Sequence, residues 1–313
     1  MEKLLKWSLE NSESTGIAEE DRRQPTPNAE VLGQLFGQPS DAQLMQESMA
    51  IIQSESASLD DRESAFDNLE MLVENLDNAN NLEPMGMWPG LLSQLQSPEP
   101  VIRKMACWVI GTAVQNNPKS QAALAAYPNA VPDLLAIANG DKSKDCRLKA
   151  MYCLSSAIRN HQPGYEAFRN AQGWKVLVNL IRGRAFVDQE LDNTDKSLDE
   201  VDTEIRQRSI FLLAGILSTE PLSDKIEMLR TLSAIPDLLT LLHVEQSYSA
   251  IEKIVQVLLM IAKSDAGFTD DERAQIKAGL ERAKRDELLD MDLTDHPSEE
   301  LTAEWRQLER AIQ

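Results

Sequence analysis

An internal repeat with a period in the low forties is the feature that most constrains the fold of this chain. Four segments align on an arginine that is followed three residues later by a small residue, and a weaker fifth copy begins near Ile251. The arginines are Arg62, Arg103, Arg147 and Arg206. Repeats of this length with helical apolar spacing are typical of armadillo and HEAT arrays, in which each unit buries its apolar face against its neighbours. The repeat therefore predicts an all-α, right-handed armadillo/HEAT-like solenoid with one concave surface.

A second pattern supports the same register. Helix starts followed by paired apolar residues occur at Trp88, Val131, Trp174 and Ile235. Both patterns show a longer interval between the third and fourth copies, with an excess of about 15 to 18 residues. The excess coincides with the acidic, aperiodic segment 185–204, and such segments favour a mobile loop over a packed element.

The terminal segments differ from the repeats and predict three parts. Residues 1–45 carry several Gly and Pro residues among short apolar clusters, which predicts a flexible N-terminal arm. Residues 46–265 form the armadillo core with its acidic insert. Residues 266–313 are highly charged and helix-favouring, so we expect a helical cap and an acidic tail there.

Charge excludes two classes of partner. The chain carries 31 Lys and Arg against 51 Asp and Glu, a formal charge of -20, which repels phosphate backbones and anionic bilayers. It has no apolar run of about 18 residues that could span a membrane, and its N-terminus does not match a secretory signal. The sequence predicts a soluble, cytoplasmic protein with neither nucleic acid nor membrane as a partner.

Motifs for chemistry are missing. The sequence has no phosphate-binding Gly-rich motif, and its histidines, His161, His243 and His296, are scattered. Cys107 and Cys153 lie in apolar helical patterns, where free cysteines are usually core residues. We therefore expect no enzyme, no catalytic residue, no cofactor and no metal, and look instead for a binding surface.

The ends of the long repeat helices are the candidate surface. The positions twelve and thirteen past each arginine are Glu74-Asn75, Gln115-Asn116, Arg159-Asn160 and Ser218-Thr219. Asn75, Asn116 and Asn160 could hold a partner through their amides, or could end helices in the left-handed conformation that Asn tolerates. The repeating arginines could likewise face a partner, although a salt bridge between units is the more usual role.

The segment 68–82 also has two interpretations. Its asparagines surround the small Ala79, which would allow a partner backbone to approach closely, or they form an ordinary loop.

Five motifs in order resemble one known family. They are MEKLLKWSLENS at residues 1–12, VLGQLFG at 31–37, ENLDNANNLE at 74–83, IGTAVQNN at 110–117 and AIRNH at 157–161. Together they resemble the fungal Fes-type nucleotide exchange factors, cytosolic relatives of the HspBP-type armadillo proteins. The resemblance extends from residue 1 to about residue 265; the acidic insert and the end of the chain have no counterpart and receive no function.

The resemblance implies a co-chaperone in protein folding. Its armadillo core would clasp the nucleotide-binding domain of the cytosolic seventy-kilodalton heat-shock chaperone and promote release of ADP. The matching contact positions are Asn78, Ala79, Asn80, Asn81, Gln115, Asn116, Arg159, Asn160 and Arg208. Ala79→Arg should then block binding without changing helix content.

In the family, the N-terminal arm resembles a chaperone substrate and helps to release bound peptide through the chaperone's peptide-binding domain. The matching apolar residues here are Leu4, Leu5, Trp7, Leu9, Leu32, Leu35 and Phe36. The alternative for Leu4, Leu5 and Trp7 is packing onto the core. The alternative for the whole protein is an armadillo-type adaptor whose asparagine ladder binds an extended peptide and is indifferent to nucleotide.

Overall fold

The computed structural model describes residues 39–184, 202–219, 221–244, 247–285 and 299–312, and their regular structure is helical throughout. The helices are α1 (Asp41–Gln53), α2 (Leu59–Val73), α3 (Leu76–Asn81), α4 (Trp88–Ser93), α5 (Pro100–Val114), α6 (Pro118–Ala125), α7 (Ala130–Gly140), α8 (Lys144–Ile158), α9 (Gln162–Asn170), α10 (Gly173–Ile181), α11 (Thr203–Leu217), α12 (Ser223–Thr231), α13 (Ala234–Val244), α14 (Tyr248–Lys263), α15 (Asp270–Arg285) and α16 (Glu299–Ala311). A short 3₁₀ turn, Gln94–Gln96, follows α4.

The helices repeat in groups of three, which confirms the predicted fold class. Two short helices precede a long helix of 15 or 16 residues in each of the groups that end at α5, α8, α11 and α14. The long helices contact one another in sequence from α2 to α14, and α1 packs on α2. A stack of this kind presents the long helices along one continuous face, the concave face of a solenoid.

The sequence pattern explains why the long helices stack. The small residues three positions past each arginine, Ala65, Ala106, Ala150 and Ser209, are at most 2% exposed. Small side chains at these positions let neighbouring helices approach closely, and the apolar residues near the helix ends fill the remaining core. The second pattern is also confirmed, because α4, α7, α10 and α13 begin within one residue of the predicted starts.

The repeating arginines are structural. Arg62 donates to the Ile52 carbonyl and to Gln94, at 3.0 and 2.7 Å. Arg103 makes two hydrogen bonds to Asp141, at 2.6 and 2.9 Å, and thereby joins α5 to the start of the next unit. Arg147 donates to the Ala138 carbonyl at 3.1 Å, and Arg206 is only 4% exposed. Arg62, Arg103 and Arg147 donate to backbone carbonyls, and Arg103 also pairs with a carboxylate. The arginines therefore hold turns together as well as joining units.

Two predicted boundaries and the character of the tail differ from the structure. The arm was expected to extend to residue 45, but α1 begins at Asp41, capped by the Ser40 side chain. The insert was expected to extend to residue 204, but Asp202 caps α11, which begins at Thr203. The remainder of the insert, 185–201, lies outside the described residues. The expected tail includes α16, whose Leu301, Trp305 and Leu308 are buried against α14.

Buried thiols occupy the centre of the repeat core. Cys107 and Cys153 are fully buried, as predicted, and Cys146 is also buried with its thiol donating to the Pro100 carbonyl at 3.0 Å. Burial raises the pKa of each of the three thiols. Among the helices in the described ranges, none is long and apolar enough to cross a membrane.

Candidate functional site

The exposed face of the long helices carries a row of aromatic side chains. The residue five positions past the repeat arginine is Trp108 in α5, Tyr152 in α8 and Phe211 in α11. Trp108 and Tyr152 are half-buried, whereas Phe211 is 39% exposed. We call these three residues the aromatic row. Because they occupy one register position in consecutive units, they lie along a single face of the solenoid.

Cations accompany the aromatic row. Two positions past the repeat arginine are Lys149 in α8 and Arg208 in α11, and Lys253 is the matching residue in α14. The Lys149 ammonium lies 3.7 Å from the centroid of the Trp108 ring and 5.9 Å from that of Tyr152. Lys253 lies 5.9 Å from the Phe211 centroid. These are cation–π distances, so the row already binds positive charge from its own chain.

Several charged side chains lie close enough to Lys149 to affect its pKa. Burial lowers the pKa of Lys149, the nearby Glu70 carboxylate opposes that shift, and repulsion from Lys104 and Arg208 adds to it. Lys104 is itself paired with Glu63 at 3.4 Å. The middle of the groove is therefore locally cationic on a chain whose net charge is strongly negative.

A chain of polar contacts crosses the first three long helices. Thr112 donates to Glu70 Oε1 at 2.8 Å, and its hydroxyl lies 3.4 Å from that of Tyr152. The Tyr152 hydroxyl in turn donates to Gln115 Oε1 at 3.1 Å. The contacts link α2, α5 and α8 across the groove, so the relative positions of these helices are fixed at the site.

A cavity of about 320 Å³ opens beside this chain of contacts, and we call it the acidic pocket. It is lined by Glu70, Val73, Glu74, Leu76, Trp108, Thr112, Gln115 and Tyr152. Two of the lining residues are carboxylates and none is a Lys or Arg. Within the described ranges, no group of His, Cys, Asp and Glu residues is arranged to hold a metal ion.

Gly111 explains how the Tyr152 ring reaches the pocket wall. A Cβ at this position would lie 2.6 Å from the ring, closer than such atoms approach. The missing side chain lets the ring lie against the backbone of α5.

Two of the predicted asparagines end helices. Asn116 and Asn160 have φ angles of 52° and 54° and directly follow the C-caps of α5 and α8. The capping interpretation is therefore confirmed for both, while their side chains remain exposed. Asn75 differs, because it is the N-cap of α3 and accepts a hydrogen bond from the Asp77 amide at 2.9 Å.

The segment 68–82 comprises the end of α2, a short turn at residues 74–75 and α3. Two of its predicted contact residues are in the core. Ala79 is 2% exposed and Asn78 is 7% exposed. The Asn78 amide donates to Asp41 Oδ2 at 2.7 Å and to the Leu72 carbonyl at 3.0 Å, so it joins α3 to α1 and α2. Both side chains are therefore covered in the free chain, and their contact with a partner stays a prediction.

The other predicted contact residues divide into two groups. Asn80, which accepts from Ser120 at 3.4 Å, and the exposed Asn81 lie in α3. Gln115, Asn116, Arg159 and Asn160 are exposed at the ends of α5 and α8, along one edge of the groove. Arg208 is exposed within α11, near Lys149. Of the whole set, only Gln115 also lines the acidic pocket. The apolar arm residues, Leu4 to Phe36, lie outside the described residues.

Sequence reasoning missed the aromatic row and Glu70. The signal was present, because counting five positions from each arginine gives Trp108, Tyr152 and Phe211 in succession. Aromatic residues at helical spacing are usually core residues, and only the structure shows that these three face the groove.

Two family models match the chain. One, described as nucleotide exchange factor Fes1, matches residues 1–82, and the other, described as the SIL1/FES1/HPBP1 C-terminal domain, matches residues 78–192. The second match ends at residue 192, within the acidic insert.

Curated relatives align over nearly the whole chain. A protein of Scheffersomyces stipitis named Hsp70 nucleotide exchange factor FES1 is 37% identical over 94% of this chain and 97% of its own length. The Saccharomyces cerevisiae protein of the same name is 37% identical over 89% and 92%. That of Gibberella zeae is 50% identical over 54% of this chain and 81% of its own length.

Solved structures with a similar fold are armadillo repeat proteins. A designed armadillo repeat protein in complex with the peptide (KR)4 superposes with a TM-score of 0.64 at 18% identity, over 86% of this chain and 99% of the other. A second designed armadillo repeat protein gives the same TM-score at 17% identity, over 86% and 100%. At these identities the likeness concerns the fold.

Proposed function

This chain belongs to the Fes1 family of nucleotide exchange factors, and from that premise we propose that it is an exchange factor and co-chaperone of a cytosolic seventy-kilodalton heat-shock chaperone, Hsp70. The observation that carries the proposal is the similarity to exchange factors of this name along 94% of the chain, which includes every helix of the groove. The activity is binding, with no covalent step, and its site of action is the cytoplasm.

Thermodynamic linkage fixes what such a protein must do. It accelerates ADP release only if it binds the open, nucleotide-free chaperone more tightly than the closed, ADP-bound one, and the coupling is reciprocal. Addition of ADP or ATP must therefore weaken the complex. A rigid groove suits this role, because the contacts that cross α2, α5 and α8 hold its shape while the chaperone adjusts.

We assign the contact with the nucleotide-binding domain of the chaperone to the groove and its edge. The predicted residues that the structure leaves accessible are Asn80, Asn81, Gln115, Asn116, Arg159, Asn160 and Arg208. We add the aromatic row, since exposed aromatic side chains are the usual anchors of protein interfaces. The three parts of the chain keep their proposed roles, with the repeat core as the binding module.

Stopped-flow release of a fluorescent ADP analogue from purified cytosolic Hsp70 tests the proposal. The wild-type protein should accelerate release, whereas Arg208→Glu and Asn81→Arg should reduce the acceleration by about tenfold or more, because each places a mismatched or bulky charge on the interface. Glu47→Gln, an exposed change on α1, is the control. No acceleration by the wild type, together with nucleotide-independent binding of extended peptides, would favour the adaptor function instead.

The N-terminal arm is a separate part of the proposal. Its apolar residues, from Leu4 to Phe36, would compete with bound peptide at the peptide-binding domain of the chaperone. Replacing Leu4, Leu5 and Trp7 by Ser should slow release of a labelled peptide from Hsp70 while leaving the ADP release rate unchanged. Equal slowing of both rates would indicate that these residues pack on the core.

A further inference from the structure

We propose that the acidic pocket binds one basic side chain, an Arg or Lys that projects from the Hsp70 partner. This inference rests on the proposed function and deepens it by naming the chemistry of one contact. The pocket belongs to α2, α5 and α8, at the end of the groove opposite Phe211 and Lys253.

The first argument is the state of Glu70. Its residue is 8% exposed, and the hydrogen bond that the structure gives its carboxylate comes from the neutral Thr112 hydroxyl. Within the described part of the chain, no Lys or Arg nitrogen lies within 4.0 Å of this carboxylate. Lys149 acts on Glu70 electrostatically from beyond ion-pair distance, so its charge offsets the burial of the carboxylate only in part. A cation delivered by a partner into direct contact would offset the rest of that cost.

The second argument is the wall of the pocket. Trp108 and Tyr152 line it on the side away from α2, and the Lys149 ammonium already lies 3.7 Å from the Trp108 centroid. These rings therefore form cation–π contacts in the free protein. An incoming guanidinium or ammonium would find aromatic surface for its stem and the Glu70 and Glu74 carboxylates for its charge.

The third argument is that the position of Glu70 carries a carboxylate in one repeat unit and not in the following ones. The position of Glu70, eight past the repeat arginine, is occupied by Gly111, Ser155 and Ala214 in the following units, none of which is charged. A basic peptide that runs along the groove would need such a carboxylate in each unit. One carboxylate in one pocket fits a single projecting side chain of a folded surface, and the volume of about 320 Å³ accommodates it.

Charge along the groove sets the orientation of the partner. Glu70 and Glu74 lie at one end, while Lys149, Arg208 and Lys253 follow toward the other. A partner surface with a basic residue at one end and acidic residues beyond it would match this order, and the reversed orientation would place like charges together.

The test measures binding of the full-length protein to nucleotide-free Hsp70. Glu70→Gln keeps the acceptor for Thr112 and removes only the charge, so we expect the Kd to rise about 30-fold or more. Glu74→Gln, at the exposed rim, should raise it about threefold. Glu47→Gln should leave it unchanged. Far-UV circular dichroism and thermal unfolding establish that each variant is folded, and Glu74→Gln carries the test if Glu70→Gln does not fold.

A double-mutant cycle identifies the partner residue. Each surface Lys and Arg on the nucleotide-binding domain of Hsp70 is replaced by Gln and measured against wild type and Glu70→Gln. One replacement should weaken binding to the wild type by a factor similar to that of Glu70→Gln. The same replacement should weaken binding to the Glu70→Gln protein only slightly further.

The outcomes separate the two proposals. Suppose that the wild type accelerates ADP release, but the Kd of Glu70→Gln for Hsp70 is within twofold of the wild-type value or no basic residue of Hsp70 couples to Glu70. The pocket assignment is then wrong and the exchange function stands. If the wild type neither binds Hsp70 nor accelerates release, the exchange function is wrong and the pocket assignment falls with it.

Discussion

Asn116 and Asn160 show how a single residue shapes this surface. Each adopts left-handed backbone directly after a long helix, and the next residue, Asn117 or His161, caps the following short helix. The tight turn between the units thus needs two polar residues in succession. Asn is favoured first because it tolerates positive φ, so the repeating asparagine is explained by the backbone before any partner is considered.

Replacement of Asn116 separates the backbone role from binding. Asn116→Gly should leave the free energy of unfolding within about 0.5 kcal/mol of the wild type, because Gly adopts positive φ without strain. Asn116→Ala should lower it by about 1 kcal/mol. Urea denaturation measures both. Loss of Hsp70 affinity in a fully stable Asn116→Gly protein would show that the amide contacts the partner as well.

Ala79→Arg should lower the stability of the fold rather than alter an exposed binding surface. Its site in α3 is 2% exposed, so a long charged side chain would either be buried unpaired or disrupt the packing of α3. We expect the free energy of unfolding to fall by about 2 kcal/mol or more. Asn81→Arg, at an exposed position of the same helix, should change it by less than about 0.5 kcal/mol. Equal stability of the two variants, by urea denaturation, would contradict the burial of Ala79.

At the residue scale, prediction succeeded where one physical cause dominates. Cys107 and Cys153 were predicted to be buried because they lie in apolar helical patterns, and both are. Asn78 and Ala79 were not predicted to be buried, since a polar, small-residue run gives no apolar period. Asn78 bonds to Asp41, which is 37 positions away and outside any local pattern.

The short helices depend on their caps. Because α9 has nine residues, its first turn contributes much of its hydrogen bonding, and the His161 Nδ1 accepts from the Gly164 amide at 3.1 Å. That bond requires neutral imidazole. Burial lowers the pKa of His161, although a contact with the Ala157 backbone opposes the shift.

Stability should therefore decrease in mild acid. A pKa that is lower in the folded state than the unfolded value of about 6.5 means that protonation favours unfolding. The contribution of His161 is fully present above about pH 6.5 and is lost as the pH falls through the lower, folded value. His161→Asn keeps a capping acceptor without titrating, so its free energy of unfolding should vary less between pH 7 and pH 5. Because His243 and His296 remain in both proteins, identical pH profiles would exclude His161 as the cause.

At the element scale, the long helices were predictable and their surroundings were not. The repeated arginines set the register of α2, α5, α8 and α11, and the second sequence pattern marked the starts of α4, α7, α10 and α13. The start of α11 was missed by two residues because Thr203 and Glu204 continue the acidic composition of the insert. The structure begins the helix there because Asp202 caps it, and the exposed Lys144 contacts Asp202 and Glu204 at 3.2 and 3.0 Å.

The whole molecule behaves as a one-dimensional stack, so damage should remain local. Trp305 of α16 is 4% exposed and packs at the C-terminal end, whereas Trp88 of α4 is fully buried near the other end. Trp305→Ala should lower the free energy of unfolding of the terminal units by about 3 kcal/mol. Hydrogen exchange should rise in α13–α16 and stay unchanged in α2–α8, and ADP release from Hsp70 should still be accelerated.

The matched variant is Trp88→Ala. Its loss of protection against hydrogen exchange should instead lie in α1–α5, next to the groove. Uniform loss of protection after Trp305→Ala would mean that the solenoid unfolds as one cooperative unit, contrary to the expectation for repeat proteins.

The reactivity of the three buried thiols reports how often the core of the protein opens. Cys107 belongs to α5, while Cys146 and Cys153 belong to α8, and all three are buried in the core to which these two packed helices contribute. A buried thiol of raised pKa reacts with an alkylating reagent only when its surroundings open. The alkylation rate of the unmodified protein therefore counts openings at its centre. A partner that holds the groove in one shape should lower the alkylation rate. Binding of the chaperone then becomes measurable without attaching any label.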